Sequence, residues 1–247
     1  MISKSHTKYI QSLQHKKLRD ELNLFIAESP KVVAELLAGG KFRFKEIFAE
    51  KEWLDANDAV RKAQHETLFT EVEDFELKKI SALATPHSVL AVLEKRIPQT
   101  DFETGGRITL ALDTIQDPGN MGTIIRIADW FGIQNIICSV GCADMYNPKV
   151  VQGTMGSLGR VNIIYTDLHA WMAANKKVKM YAASLKGKPL QSVGKLKEAL
   201  LVIGNEAHGI SDDVMKLVQE KITIPRIGDA ESLNAAVAAG IILSHIL

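Results

Sequence analysis

Cysteine is nearly missing from this chain: its 247 residues hold only Cys138 and Cys142. The two stand too close together to staple distant elements, and no second pair completes a zinc set. A disulfide scaffold and a structural zinc site are therefore excluded. A reducing compartment suits them, and small apolar filler at a strand end is their expected role. Net charge is also nearly missing. Thirty Lys and Arg face 29 Asp and Glu, so no global positive field announces a polyanionic partner. No unbroken apolar run reaches the ~20 residues that a membrane span needs. The opening residues, Met1-Ile2-Ser3-Lys4-Ser5-His6, contain no apolar signal core, and a cytoplasmic protein is expected.

What is present falls into two alternating patterns. Tyr9, Ile10, Leu13 and Leu18 recur at helical spacing, which predicts an amphipathic helix over the first twenty residues. Strands follow at Leu24–Ala27, Ile47-Phe48, Thr67–Thr70 and Ser88–Leu93. Helices come between them, the first opening at Ser29-Pro30, with others over Trp53–Ala63 and Phe75–Leu83. This predicts a small α/β domain over residues 1–95. Residues 95–106 are polar and rich in breakers, as a linker is. A second domain, 107–247, reads as six strands separated by helices: Ile108–Leu112, Asn135–Ser139, Val161–Tyr165, Lys179–Ala183, Ala199–Ile203 and Lys221–Ile224. That alternation predicts a parallel sheet covered on both faces.

Charge is uneven at the N-terminus. Lys4, Lys8, Lys16, Lys17 and Arg19 occur with no acid among residues 1–19. Lys16, Lys17 and Arg19 are candidates for contacting phosphates, and a solvated helix face is the equal alternative.

Three segments of the second half place glycine and polar residues directly after an apolar strand, where open α/β sheets build their sites. The first is Asp117-Pro118-Gly119-Asn120-Met121-Gly122, continuing to Arg126. Asn120 and Arg126 are placed near a helix start, although a plain turn followed by a surface arginine explains the same residues. The second is Gly204-Asn205-Glu206-Ala207-His208-Gly209, where a glycine lets backbone approach a ligand. Glu206 stands at the end of an apolar strand, a costly place for a charge without a partner. The third runs from Ile224-Pro225 to Ser232-Leu233-Asn234 and an alanine-rich helix, which is predicted to start at Glu231 or Ser232.

Taken together, in this order, the segments resemble the three signature motifs of the SpoU family of RNA ribose methyltransferases, within the SPOUT superfamily. Asn120, Gly122 and Arg126 match the first motif, Gly204, Glu206 and Gly209 the second, and Ile224, Pro225, Ser232, Leu233 and Asn234 the third. Relatives usually continue the third motif with Val-Ser-Val-Ala; this chain has Ala235-Ala236-Val237-Ala238. Leu18-Arg19 followed by Phe25-Ile26-Ala27-Glu28 is similar to the ribosomal-protein-L30e-like RNA-binding domain that often precedes the SpoU domain. Relatives commonly have glycine where this chain has Ser29.

The resemblance implies an α/β fold in which a parallel-sheet SPOUT domain with a C-terminal trefoil knot follows a small L30e-like α/β domain. It implies S-adenosylmethionine as methyl donor, held by Gly204, Glu206, Gly209, Ile224 and Leu233. A ribose 2′-hydroxyl of RNA is the implied acceptor, and the front domain points to ribosomal rather than transfer RNA. A homodimer is implied, without metal or membrane, in which first-motif residues complete the neighbour's site. The implied catalytic group is Arg126 with Asn120, Glu206, Ser232 and Asn234. A guanidinium stays protonated, so Arg126 is expected to bind the phosphate beside the target ribose and stabilise the developing alkoxide, held in place by the other four. Two alternatives remain: a non-catalytic RNA-binding module, and a nicotinamide-dependent oxidoreductase with Asp144 as the ribose-binding acid.

Overall fold

The structure is a computed structural model that describes residues 2–63 and 68–247. It divides into two compact units, 1–97 with 144–160, and 98–143 with 161–247. The first unit is therefore discontinuous in sequence. The segment 144–160, read above as part of the second domain, belongs to its packing.

In the first unit, α1 (Lys4–Ser12) and α2 (Lys16–Leu22) replace the single predicted helix. They are parted by a turn, and α2 closes on Asn23 in the left-handed conformation. The sheet contains β1 (Leu24–Glu28), β2 (Phe44–Ala49), β3 (Phe69–Glu71) and β4 (Val89–Glu94) in the order β1-β4-β2-β3. β4 is antiparallel to both β1 and β2, while β2 and β3 run parallel. Of the strand predicted at Thr67–Thr70, Thr67 lies outside the described residues. Ile10 of α1 and Leu13 at its C-cap, with Leu77 and Ile80 of α6 (Asp74–Ile80), cover one face over Leu24, Ile26, Leu90 and Val92. α3 (Pro30–Gly39) packs on β1 and β4. The predicted Trp53–Ala63 helix is two short ones, α4 (Lys51–Ala56) and α5 (Asp58–Ala63), broken at Asn57.

In the second unit, β5 (Ile108–Asp113), β6 (Asn135–Ser139), β7 (Asn162–Thr166), β8 (Met180–Pro189), β9 (Ala199–Gly204) and β10 (Glu220–Thr223) form one sheet in the order β10-β8-β9-β5-β6-β7. Every adjacent pair is parallel, as the near-continuous apolar runs of β5 and β9 require. α7 (Pro118–Trp130) follows β5 and packs against α11 (Ala235–Ile246). Leu168 and Met172 of α9 (Leu168–Ala174) and Val214 of α10 (Asp212–Met215) fill the core with Ala111, Ile137 and Val202. α8 (Pro148–Thr154), between β6 and β7 in the chain, packs on β1 in the first unit.

Candidate active site

The ends of β5, β8, β9 and β10 and the loops after them carry the site. β8 and β10 pair through Tyr181–Glu220 and Ala182–Lys221, then again through Lys188–Ile222 and Pro189–Thr223. Residues 183–187 therefore loop out of register. Gly187 is required there, because a Cβ would stand 2.5 Å from the Lys221 carbonyl oxygen. The bulge, the 203–210 loop and residues 221–233 enclose a cavity of about 750 Å³, within the range that takes a cofactor-sized ligand. Leu185, Ile203, Ile224, Leu233, Ala238 and Ile242 supply apolar wall. All five residues expected to hold the donor, Gly204, Glu206, Gly209, Ile224 and Leu233, line it, and so does Ser232.

Gly204 also has a structural job beyond lining the cavity. A Cβ at this position would stand 2.5 Å from the Gly209 carbonyl oxygen and the Ile210 nitrogen. The glycine thus lets the loop close on itself. Asn205 and Gly209 exchange backbone hydrogen bonds of 3.0 and 2.9 Å, with Gly209 at φ +71°.

The three motifs meet through side chains. Asp117 caps α7 by accepting from the Asn120 amide at 2.8 Å, which places Asn120 in the first helical turn. The Asn120 Nδ2 donates to Glu206 Oε1, and Asn120 Oδ1 accepts from Asn234 Nδ2 at 2.6 Å. Asn234 Oδ1 accepts in turn from the Ala236 and Val237 amides at 3.0 and 3.2 Å. Asn234 is therefore the cap of α11, and the helix starts at Ala235 rather than at Glu231 or Ser232. Its carboxamide satisfies the free amides of the first turn, which decides where the helix begins.

Arg126 is not part of this chain of bonds. It lies about one and two-thirds turns beyond Asn120, exposed on α7, and no hydrogen bond or ion pair holds it among the described residues. The expectation that Asn120, Glu206, Ser232 and Asn234 hold it is not met within this chain. One turn on from it Trp130 is 83% exposed, and Val237 and Ile241 of α11, the helix packed against α7, are also exposed.

Several residues that support the site were not singled out from the sequence. Asp113, 4% exposed at the end of β5, accepts from the Ser211 amide at 2.7 Å and from Thr114 Oγ1 at 3.0 Å. Asn205 Nδ2 donates to the Thr114 carbonyl at 2.9 Å, and Asn205 Oδ1 accepts from the amides of Ala207 and His208. The loop after β9 is thereby tied to the end of β5. The available signal was a carboxylate closing a mostly apolar strand. Cys142 is more than filler, since its Sγ accepts from the Ile115 amide at 3.3 Å. The Cys138 thiol, with Ser139 and backbone amides, brings the Cys142 thiol down to about 7 against burial; burial holds Cys138 well above the usual thiol range.

Arg19 also departs from expectation. It is 1% exposed and donates to Asp144 at 2.7 Å and to the carbonyls of Leu13 and Gln14 at 3.0 and 2.8 Å. A guanidinium engaged in this way inside the first unit has no free edge for a phosphate. Asp144 is likewise spent on Arg19 and is no ribose-binding acid. Lys16 and Lys17 remain exposed, paired with Asp20 and Glu21 one turn on. Ser29 sits at φ +79°, a conformation that favours glycine.

Residues 107–244 match the SpoU rRNA methylase family, and residues 4–91 match the MRM3-like substrate-binding domain. The chain belongs to the SpoU rRNA methylase family. It is 30% identical, over 96% of its length and 93% of the other's, to a 23S rRNA (guanosine(2553)-2′-O)-methyltransferase from Bacillus subtilis. Among solved structures, an AdoMet-bound rRNA methyltransferase from Sinorhizobium meliloti is 31% identical, with a TM-score of 0.86 over 98% of this chain and 95% of that one. A TrmH-family protein from Porphyromonas gingivalis is 35% identical, with a TM-score of 0.85 over 99% and 97%.

Proposed function

We propose that this chain transfers the methyl group of S-adenosylmethionine to a ribose 2′-hydroxyl of ribosomal RNA in the cytoplasm, acting as a homodimer. The observation that carries the reading is the Glu206–Asn120–Asn234 chain of hydrogen bonds at the rim of the cavity. The family relationship supplies the reaction class, and the Bacillus relative supplies the acceptor group.

When bound, the donor supplies a methyl group on a cationic sulfur, so the leaving group departs neutral. The protein's work is to hold the acceptor oxygen in line, ~3 Å behind the methyl carbon, and to ease loss of its proton. The relay fixes the amides of Asn120 and Asn234 and the Glu206 carboxylate, and Ser232 stands at the same rim. Gly204, Gly209, Ile224 and Leu233 shape the donor's bed. Arg126, left exposed on α7 one turn from Trp130, acts on the cavity of a second copy that covers Trp130, Val237 and Ile241. There its planar fork grips the phosphate beside the target ribose and stabilises the developing alkoxide.

The front unit delivers RNA. Lys16 and Lys17 bind its phosphates, because exposed ion pairs such as theirs are weak enough to exchange.

Transfer of labelled methyl from S-adenosylmethionine to ribosomal RNA tests the reading, with the product mapped as 2′-O-methylribose. Arg126→Ala is expected to keep donor binding and lose nearly all transfer. Mixing it with Glu206→Ala should recover partial activity, since one mixed pocket keeps both groups. No recovery after verified subunit exchange argues for a site completed within one chain. Reversing Lys16 and Lys17 to Glu should flatten the salt dependence of RNA binding, by about 0.7 in slope for each phosphate left unneutralised on a single strand.

A further inference from the structure

The role assigned to Arg226 rests on the assignment of the cavity to S-adenosylmethionine. That donor carries two positive groups, the sulfonium and the ammonium of its amino-acid tail, and one negative group, the tail carboxylate. A fixed cation lining its pocket opposes binding unless it faces the carboxylate. The cavity is nevertheless lined by Lys186, Lys221 and Arg226 as well as by Glu206 and Glu231.

Of the three cations, only Arg226 is tethered. Its Nη1 donates to the Ala230 carbonyl at 3.2 Å, across the turn between the Ile224-Pro225 and Ser232-Leu233-Asn234 parts of the third motif. A guanidinium has five N–H donors, and no other partner occupies this one among the described residues. The two lysine ammonium groups have no tether to a protein group among those residues. A planar fork already pinned on one edge presents parallel donors that match a carboxylate, and it loses less freedom on binding than a free lysine does.

We propose that Arg226 binds the carboxylate of the donor's amino-acid tail and so selects the intact donor over analogues that lack this group. It is a specificity-determining residue, distinct from the groups that handle the acceptor.

Calorimetric titration of the full chain with three ligands tests this: S-adenosylmethionine, S-adenosylhomocysteine, which keeps the carboxylate, and decarboxylated S-adenosylmethionine, which loses it. Arg226→Met is expected to weaken the first two about tenfold or more, as loss of a charge-assisted pair does. The decarboxylated ligand should be left nearly unchanged, and Arg226→Lys should recover part of the loss. Equal weakening of all three ligands would mean that the substitution merely disturbs the loop, and would overturn the proposal. So would unchanged donor affinity with weaker RNA binding, which would assign Arg226 to the acceptor. If Lys186→Met alone discriminates against the carboxylate ligands, that lysine is the ligand instead. Failure of the unaltered chain to bind any of the three overturns the donor assignment itself, and Arg226's role with it.

Discussion

Arg19 and Arg126 both come from segments that the sequence marks for binding RNA, and the two units treat them in opposite ways. Arg19 is folded into the first unit and cancelled there by Asp144 and two carbonyls. Arg126 stands outside on α7 without a partner among the described residues, beside an exposed tryptophan. The same contrast holds more widely. In the first unit Glu28, 6% exposed, accepts from Ser81 Oγ and the Ala82 amide, and Glu76 accepts from the Ile2 amide. In the second unit, Glu206 and Arg226 sit at a cavity rim. A polar side chain buried and fully partnered serves the fold, whereas a charge held at a rim with donors or lone pairs to spare remains open to a ligand.

The largest test of this contrast removes residues 1–97. Segment 144–160 would lose the unit it packs with, leaving Val150, Val151 and Leu158 uncovered. The remaining chain is expected to aggregate, as size-exclusion chromatography would show, even though the family match begins at residue 107. Next in size is Arg19→Ala, which strands Asp144. Breaking a buried pair from one side costs about 3–5 kcal/mol, to be read as a fall in the urea midpoint. Arg126→Ala should leave that midpoint in place.

Gly204→Ala separates site from fold within the second unit. The added methyl meets the Gly209-Ile210 backbone, so the loop must open. Calorimetry is expected to find no saturable donor binding at concentrations that saturate the unaltered chain, while the urea midpoint moves little. The smallest effect concerns Glu28. Burial raises its carboxyl above the ordinary value of 4.5, against the bonds from Ser81 and Ala82. A raised value means that its contribution is full below 4.5 and is lost as pH climbs through the folded value. The chain should therefore lose stability relative to Glu28→Gln between pH 4.5 and 7. A constant difference between the two would show that burial does not perturb this carboxyl.

Much of this was legible in the sequence because it depends on neighbours along the chain. The alternation of apolar runs with helical spacing marks the two α/β patterns and the six strands of the second unit, since a strand covered on both faces must be apolar throughout. Pro118 and Gly204 likewise mark the loops that follow β5 and β9. Residues Gly204, Glu206, Gly209, Ile224, Ser232 and Leu233 were all placeable at one sheet end, because parallel strands bring the loops after their carboxyl ends to the same edge.

Other features depend on residues far apart in the chain, and only the tertiary structure decided them. Nothing in the pattern of residues 1–20 distinguishes Arg19 from Lys16 or Lys17; the difference is that Asp144, 125 positions away, accepts from its guanidinium. Local pattern starts α11 too early, because the cap is Asn234, whose side chain also reaches Asn120. Segment 144–160 reads as an ordinary part of the second alternation, yet α8 packs on β1. Periodicity records which face of an element is buried, but the element that buries it is chosen by packing and by long-range pairing of polar groups, which leave no local trace.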